Sequence, residues 1–284
     1  LLHPEKLKKL KDLDIYKTQV SSINSLSSLI NLESVNIWGT PVNDLSALSN
    51  LINLRTLNAN ETNIIDLAPL SGLKNLRRLD IWDTQVSDIQ PLLNLYNLQQ
   101  LNMGETKVSD IIPLGQLVNL QSLYLWNTKV SDLSPLHNLI KLEFLGIVGT
   151  PVSDITPLTR LQNLQWLSLG SNYINDLSPI SCLTKLQSIS ISNFKPVSLS
   201  PLANLNKLKI IDLRYSKILD ITPLLSFISA GLPVKWAREY TVDENGIFFE
   251  NARLGQNLIA AIKAGNQAVL DYIKRKKEKQ YEAR

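Results

Sequence analysis

A column of aspartates is the first feature of this chain that could do chemistry. Its members recur at intervals of 22 residues, with one interruption; they are Asp44, Asp66, Asp88, Asp110, Asp132, Asp154, Asp176 and Asp220. A ladder of carboxylates could bind cations, since Ca²⁺ needs several oxygen ligands at about 2.3–2.6 Å. Each aspartate, however, stands at the start of a turn, where its side chain would accept neighbouring backbone N–H groups. We therefore expect a structural role for this column and no metal ion.

No phosphate loop or catalytic group is recognisable in the sequence. The stretch Gly104-Glu-Thr-Lys107 lacks the G-x-x-x-x-G-K-[ST] spacing and lies at a strand-to-turn junction. Cys182 is the single cysteine, and the two histidines, His3 and His137, are far apart, which excludes a zinc site built from Cys and His. We expect the segment to be non-catalytic and to hold no cofactor.

A 22-residue repeat positions these side chains, and it runs without an insertion from residue 9 to about residue 228. Nine coils begin with Asn or Lys followed by Leu, at Asn31, Asn53, Asn75, Asn97, Asn119, Lys141, Asn163, Lys185 and Lys207. So strict a period indicates stacked structural units rather than a globular core. We expect about ten coils.

Each coil has the same predicted elements. In one of them, Leu123 and Leu125 alternate with Tyr124 and Trp126, which is the pattern of a short strand. A threonine turn follows, and then in most coils a proline, which suits the first turn of a short helix because its missing N–H loses nothing there. The Ser or Thr before that proline, such as Ser134, is predicted to cap the turn. The apolar side chains must pack against neighbouring coils.

The repeat resembles the leucine-rich repeat family in its 22-residue bacterial form. Leu120-x-x-Leu123-x-Leu125-x-x-Thr128 matches the family's L-x-x-L-x-L-x-x-N, with Thr in place of the usual Asn. The resemblance implies an α/β leucine-rich repeat solenoid. We expect it to be right-handed and curved, with a parallel sheet on the concave face and short helical or 3-10 segments on the convex face.

The end of the chain departs from the repeat. Residues 231–236 and 246–250 alternate like strands, and from Asn257 the pattern is helical, with Gly265 breaking it into two helices. Such a segment would cover the open core and sheet edge of the last coil.

Three segments are therefore predicted along the chain. The repeats occupy residues 1–228, a C-terminal cap occupies residues 229–273, and residues 274–284 form a basic helical connector to a further domain.

The cap also resembles that of Roco proteins, multidomain GTPases in which leucine-rich repeats precede a Roc GTPase domain and a COR domain. Gly231-Leu-Pro-Val-Lys-Trp236, Gly246-Ile247 and Ile262-Lys-Ala-Gly-Asn266-Gln-Ala-Val-Leu-Asp-Tyr272 look like the two strands and the helix that often end their repeats. The family's run of prolines before the helix is absent. The resemblance implies GTP in a downstream domain, that intramolecular GTPase domain as partner, and a homodimer of the full-length protein.

Charge and composition bear on the partner and the compartment. Residues 257–284 carry seven basic and three acidic side chains, which equals the net charge of +4 of the whole chain, so the repeats are neutral. A neutral solenoid is not expected to bind nucleic acid, which needs a basic face. There is no run of 18 apolar residues, and we expect no membrane span. The single cysteine favours a reducing compartment, and we expect a cytoplasmic protein.

The outward side chains of the strands predict a protein-binding surface. The residues assigned to it are Tyr16, Trp38, Trp82, Tyr124, Trp126, Phe144, Trp166, Glu61, Asp80, Asp83 and Glu105. Large aromatic side chains facing solvent mark interfaces, where buried aromatic anchors dominate binding. A partner here should carry apolar anchors with basic neighbours.

Two further expectations concern these aromatic rings. Tyr124, Trp126, Phe144 and Trp166 lie on successive coils and are predicted to form one patch. The alternative is that the rings stack on one another and on the stems of nearby arginines, and so shield the sheet without a partner.

One coil, residues 192–198, is irregular. Phe194 and Pro196 replace the usual Thr and buried Val, and Ser198 replaces Asp. This coil is either a tolerated defect or a local bend that serves as a docking notch.

We predict a non-catalytic protein-interaction and regulatory module, most consistent with the repeat part of a Roco-type GTP-binding protein. It would act by binding one state of the GTPase better than another. The alternative is an internalin-like recognition domain that binds a host protein, and a third possibility is the substrate-recognition part of an effector enzyme. The sequence beyond residue 284 would separate the three.

Overall fold

The computed structural model describes residues 8–170, 172–195, 197–237 and 244–282, the last four of these by their backbone alone. The chain divides into two compact units, unit 1 ending at Val152 and unit 2 beginning at Ser153. The predicted boundaries after residues 228 and 273 stay predictions. Residues 1–7, 238–243, 283 and 284, which the predicted segments include, lie outside the described residues.

The described part of unit 1 contains seven three-residue strands, each starting 22 residues after the last. They are β1 Asp12–Asp14, β2 Ser34–Asn36, β3 Thr56–Asn58, β4 Arg78–Asp80, β5 Gln100–Asn102, β6 Ser122–Tyr124 and β7 Phe144–Gly146. They pair in parallel and in chain order, and every residue faces the one 22 positions later. The 22-residue period of the sequence therefore sets the register in which neighbouring strands pair.

Short 3-10 helices alternate with these strands. In unit 1 they are Asn24–Ser28, Ser46–Leu48, Ala68–Leu70, Gln90–Leu92, Ile112–Gln116 and Ser134–Asn138. The side-chain cap predicted for Ser134 is wrong. The structure shows no such bond at this helix, and instead Asp132 Oδ1 accepts the backbone N–H of Ser134 at 2.7 Å. The carboxylate two residues earlier is the acceptor because it already faces the first turn.

The core of unit 1 lies on one face of the strands. Leu123 and Leu125 are fully buried, as are the leucines, valines and isoleucines at the same positions of the neighbouring coils. The threonine turn closes each coil beside this core. Thr128, for example, is buried, and its hydroxyl donates to the carbonyl of Leu125 at 2.6 Å. The repeated apolar residues thus form the core of each coil, and the threonines hold its turn.

Unit 2 continues the same construction and then ends it. Its strands are β8 Trp166–Ser168, β9 Ser188–Ser190, β10 Ile210–Asp212, β11 Val234–Lys235 and β12 Gly246–Phe248. Its 3-10 helices are Thr156–Arg160, Ser178–Cys182, Ser200–Leu202 and Thr222–Leu224. Its α-helices are α1 Leu225–Ser229, α2 Gln256–Ala264 and α3 Asn266–Glu282. These elements, with those of unit 1, confirm the predicted solenoid of parallel strands and short helices.

The strands of the cap do not follow chain order. β12 pairs in parallel with β10, and β11 pairs with the outer side of β12. Gly265 ends α2 with φ 101°, which confirms the predicted break between the helices. Asn266 then joins the parts: its Oδ1 accepts the N–H of Val234 at 2.9 Å, and its Nδ2 donates to the carbonyl of Leu232 at 2.9 Å. One amide side chain therefore links α3 to the edge strand.

In the irregular coil, other residues make the hydrogen bonds and core contact that the usual residues make elsewhere. Phe194 is buried, and its backbone N–H donates to the hydroxyl of Ser216 at 3.0 Å. The hydroxyl of Ser198 accepts a hydrogen bond from the backbone N–H of Ser200 at 3.2 Å. In other coils an aspartate at this position accepts the equivalent bond. Pro196 lies outside the described residues. These contacts favour the tolerated defect over the docking notch.

Candidate functional site

The predicted aromatic residues of unit 1 lie on the strand face opposite the core. We call Tyr16, Trp38, Trp82, Tyr124 and Trp126 the aromatic face. Tyr16 is half exposed, while the three tryptophans and Tyr124 are partly buried. This exposure arises because side chains alternate along each strand, so the neighbours of buried leucines must point outward.

The first two rings of the aromatic face pack on each other. Tyr16 and Trp38 are stacked, with ring centroids 5.9 Å apart and an angle of 17° between their planes. The Lys17 ammonium lies 4.5 Å from the centre of the Trp38 ring, which is within the range of a cation–π contact. The alternative of rings that stack on one another is therefore supported for this pair.

Trp82 and Trp126 are two coils apart, yet their ring centroids are 5.5 Å from each other. Gly104, at the same repeat position in the coil between them, makes this approach possible. A Cβ atom at Gly104 would lie 2.5 Å from the Trp126 ring, closer than carbon atoms pack. The absence of that side chain lets the Trp126 indole lean over the intervening coil onto Trp82.

The indole N–H groups add unused hydrogen-bonding capacity. Nε1 of Trp38 and Nε1 of Trp82 are buried and have no acceptor among the described residues. Asn60 lies between the two tryptophans in the column, and its Oδ1 accepts the backbone N–H of Trp82 at 2.7 Å. Two indole donors on one face are thus enclosed without an acceptor, which is unfavourable.

The acidic residues assigned to the site take two different positions. Asp80 is buried on β4, and its Oδ2 accepts a hydrogen bond from Arg78 Nε at 2.6 Å. Burial raises the pKa of Asp80, with Arg78 acting in the opposite direction. Burial also raises the pKa of Tyr124, which the Arg78 charge opposes. Asp80 is therefore a buried carboxylate paired with Arg78, two strands from Tyr124, rather than an exposed anion.

Glu61, Asp83 and Glu105 form the turn edge of the aromatic face. Each has a positive φ, 50°, 52° and 52° respectively, and each donates its backbone N–H to a carbonyl of the next coil. Gly39 and Gly149 take the same conformation at the same repeat position. None of the three carboxylates forms an ion pair within the described part of unit 1. They give this edge uncompensated negative charge.

Phe144 and Trp166 complete the residues predicted for this site. Phe144 lies at the start of β7 in unit 1, partly buried, and Tyr124 lies 3.4 Å from where a Cβ atom of Gly146 would be. Trp166 begins β8 and belongs to unit 2. The predicted patch that joins Trp166 to Tyr124 stays a prediction.

The strand face of unit 2 has a different character. Asp212 is buried and accepts two hydrogen bonds from the Arg214 guanidinium, at 2.8 Å to Oδ1 and 2.9 Å to Oδ2. The Ser190 hydroxyl donates to Asp212 at 3.2 Å. Apart from Trp166 at the start of β8, this face therefore carries small and charged side chains where unit 1 carries aromatic rings.

The aspartate column has the structural role that the sequence predicted. Each carboxylate accepts the backbone N–H two residues later, at 2.7–2.9 Å; the acceptors are Asp44, Asp66, Asp88, Asp110, Asp132, Asp154, Asp176 and Asp220. The Ser46 hydroxyl also donates to Asp44, and these bonds lower the pKa of Asp44. Among the described residues, no three His, Cys, Asp or Glu side chains cluster as metal ligands would.

Several features of the site were not predicted from the sequence. The left-handed turn edge was missed, although Gly39 and Gly149 in one column were a usable signal. The role of Gly104 was also missed, although glycine between two tryptophans at one repeat position indicates room for a ring.

Comparison with known proteins identifies the repeat. A family model described as leucine rich repeats, two copies, matches residues 52–93, 74–116, 118–160 and 162–204, which together are more than half of the chain. The chain belongs to the leucine-rich repeat family. No curated protein sequence matches it significantly. Within the described ranges, this leucine-rich repeat domain has no helix that is both long and apolar enough to cross a membrane.

Solved structures include similar leucine-rich repeat proteins. An internalin, InlF, from Listeria monocytogenes is 29% identical, with a TM-score of 0.70 over 91% of this chain and 79% of its own. Internalin C2 from the same organism is 30% identical, with a TM-score of 0.63 over 66% of this chain and 83% of its own. The plant peptide hormone receptor RGFR1 in complex with RGF2 is 21% identical, with a TM-score of 0.62 over 74% of this chain and 37% of its own, a likeness of fold alone.

Proposed function

We propose that this leucine-rich repeat domain is a non-catalytic protein-binding module and that the aromatic face of unit 1 holds its partner. The observation that carries the proposal is the position of Trp82 and Trp126, which lie together on the outer strand face across Gly104 and outside the core. The coil does not require this contact for its core, because its buried leucines and threonine turn lie elsewhere. The rings are arranged on the outer face, where a protein surface could cover them.

Covering the aromatic face would stabilise a complex in two ways. Burying aromatic rings removes apolar surface from water, and such rings are the usual anchors of protein interfaces. Pairing of the rings within the free domain holds them in place before binding, which reduces the entropy that the complex must lose.

The turn edge indicates the charge of the partner. Glu61, Asp83 and Glu105 lie at one repeat position on successive coils, beside the column that contains Trp82. Basic side chains of a partner would meet these carboxylates while apolar anchors meet the rings. Charges at the rim of an interface mainly select the partner and speed its association. We therefore propose a protein segment that combines apolar anchors with Lys or Arg.

Two contexts for this module are proposed. The internalin-like context, recognition of a host protein, is supported by the two internalins with 29% and 30% identity. The Roco-type context, in which the module regulates its own GTPase or dimerisation domains in the cytoplasm, is supported by the cap motif that contains Asn266. The effector-enzyme context stays a third proposal without a specific contact in its favour.

A displayed peptide library tests the binding proposal with a defined probe. We expect peptides selected on the domain to carry aromatic or aliphatic anchors together with Lys or Arg. Their affinity should fall about thirtyfold, equivalent to about 2 kcal/mol, in a Trp82→Ala, Trp126→Ala double variant. Tyr173→Ala is the matched control, because Tyr173 is an exposed aromatic residue of unit 2. Equal binding of the selected peptides to the parent and the double variant would contradict the proposal.

The sequence of the full gene, on both sides of this segment, distinguishes the contexts. A phosphate loop of the form G-x-x-x-x-G-K-[ST] would support the Roco-type context. A secretion signal and a cell-wall anchor would support the internalin-like context, and a domain with a catalytic cysteine would support the effector.

A further inference from the structure

A second surface of unit 1 is apolar and exposed. Five residues at one repeat position have 44–60% of their surface accessible; they are Ile30, Ile52, Tyr96, Val118 and Ile140. They lie in the loop between the 3-10 helix and the next strand, directly before the residue that starts each coil. Lys74 occupies the same position in the third of these six loops. Lys8 also occupies it, one loop before Ile30, and its carbonyl accepts a hydrogen bond from Asn31 Nδ2 at 2.7 Å. We call the six residues from Ile30 to Ile140 the loop stripe.

The loop stripe is not a requirement of the repeat. The residues on both sides of the position in each coil, such as Leu51 and Leu54 around Ile52, supply the buried contacts. In unit 2 the same position holds Gln162, Thr184 and Asn206, which are exposed. The coil therefore accepts polar side chains at this position, and the apolar residues of unit 1 need another explanation.

The backbone of the loop stripe is held rigidly. The asparagine column donates Nδ2 hydrogen bonds to the stripe carbonyls of the preceding coils: Asn53 to Ile30 at 3.0 Å, Asn75 to Ile52 at 2.8 Å, Asn97 to Lys74 at 2.9 Å and Asn119 to Tyr96 at 2.7 Å. These bonds fix each stripe residue relative to the next coil. A surface ordered in advance loses little entropy when it binds.

We propose that the loop stripe is the contact surface for a second copy of this chain, related to the first by a two-fold axis. The axis would pass between Lys74 and Tyr96, so that the two stripes run antiparallel. This arrangement places Ile30 against Ile140 and Ile52 against Val118 of the other copy. It also places Lys74 of each copy against Tyr96 of the other.

The order of residues along the loop stripe is what selects a second copy. Reversal about the centre of these six residues brings Lys74 onto Tyr96, which are attracted by a cation–π contact, and leaves Lys8 outside the paired positions. The Tyr96 hydroxyl already donates to Asn94 Oδ1 at 2.8 Å, which leaves the ring face for Lys74. Lys74 Nζ donates to the exposed Ser71 carbonyl at 2.9 Å and would give up that weak surface bond.

Neighbouring charges and area also agree with a second copy. The residues that precede the stripe positions by two are uncharged in all six loops; they are Ser28, Asn50, Gly72, Asn94, Gln116 and Asn138. Two copies therefore bring no like charges together there. Five half-exposed apolar side chains bury roughly 500 Å² on each copy, or about 1,000 Å² in total, which is the lower limit for a specific interface. The dimer should therefore be weak, with a dissociation constant of roughly micromolar size.

Analytical ultracentrifugation over a concentration range tests this dimer. We expect the parent chain to associate reversibly into dimers at tens of micromolar and Ile52→Asp to remain monomeric at ten times that concentration. Thr184→Asp is the matched control, since it places the same charge at the same repeat position of unit 2, and it should dimerise like the parent. Circular dichroism shows whether each variant is folded. A parent that stays monomeric, or an Ile52→Asp variant that still dimerises, would overturn the proposal.

Disulfide cross-linking tests the register of the two copies. In a Cys182→Ser background, Ile52→Cys combined with Val118→Cys should form covalent dimers on mild oxidation, because these positions face each other across the axis. Ile52→Cys alone should form at least tenfold less, because position 52 would not face itself. Equal cross-linking of the single and double variants would contradict the antiparallel register. The loop stripe does not overlap the aromatic face, so loss of peptide binding and loss of dimerisation can be separated.

Discussion

Unit 1 and unit 2 are built from the same type of coil, but the outward side chains of their strands differ. In unit 1 the outer strand face carries stacked rings, with Trp82 packed on Trp126 across Gly104. In unit 2 the corresponding face carries the Trp166 ring at the start of β8, followed by serines and a buried Asp212 paired with Arg214. The inner positions are the same in both units, from the fully buried Leu125 to the fully buried Leu213. The comparison shows that the core fixes the coil while the outer face is free to vary.

A charge in the core should have the largest effect, and it should be equal in the two units. Leu125→Asp in unit 1 and Leu213→Asp in unit 2 each bury an unpaired carboxylate at the same repeat position. We expect each to lower the free energy of unfolding by about 4 kcal/mol or more in urea denaturation. Gln100→Asp, on the exposed side of β5, should change it by less than about 0.5 kcal/mol. Unaffected unfolding of either leucine variant would mean that the inner face is wrongly assigned.

The two Asp–Arg pairs should respond differently to loss of the carboxylate. Asp80 and Asp212 occupy the same repeat position, but the Arg78 side chain is 53% exposed and the Arg214 side chain is 19% exposed. Asp212→Ala removes the carboxylate that two hydrogen bonds join to the largely buried Arg214 guanidinium, and we expect a loss of about 3 kcal/mol. Asp80→Ala should lose about 1 kcal/mol or less, because water solvates Arg78. Equal losses in urea denaturation would show that exposure of the arginine does not control the difference.

Replacing two equivalent glycines by alanine should have different costs, because the new Cβ atom meets a side chain at one site and backbone at the other. A Cβ atom at Gly170 in unit 2 would lie 2.7 Å from the Ser192 carbonyl oxygen, whereas at Gly104 it meets the Trp126 ring. Backbone cannot move aside as a side chain can, so Gly170→Ala should lower the free energy of unfolding by about 2–3 kcal/mol and Gly104→Ala by about 1 kcal/mol. Tryptophan fluorescence should change for Gly104→Ala alone. A larger loss at Gly104 would contradict the account.

The pH dependence from Asp80 should be the smallest effect. Because burial raises the pKa of Asp80, the folded chain binds a proton more tightly there than the unfolded chain. The contribution of Asp80 to stability is therefore largest below its ordinary pKa and falls as the pH rises through the raised value. Asp80→Asn removes this contribution, so its stability relative to the parent should rise with pH above about 4. A relative stability that falls over this range in urea denaturation would contradict the direction of the pKa shift.

The structure of the coil was predictable because each repeat position has the same surroundings in every coil. The buried leucines, the threonine turn and the aspartate bonds follow from local pattern and the 22-residue period. The Ser134 cap failed because two acceptors lay close to the same turn, and the pattern does not say which one the backbone reaches. The order of β11 and β12 was not predictable, since it depends on how the chain returns to β10.

The site was predictable in its residues but not in its contacts. Alternation along the strands placed Trp82 and Trp126 on the outer face, but their contact depends on tilting of the rings over two coils. Asp80 was predicted to be part of an exposed acidic group, yet it is buried and bonded to Arg78. Neighbours across the sheet decide such details.

Two measurements on the Trp82→Ala, Trp126→Ala double variant test most directly whether the aromatic face binds the partner without being needed for folding of the coil. Affinity for a selected peptide and the free energy of unfolding are determined on the same samples of parent and variant. The account predicts affinity about thirtyfold lower, with the free energy of unfolding changed by no more than about 1 kcal/mol, since a ring pair contributes about that much. Unchanged affinity, or unfolding of the variant at the same temperature, would contradict it.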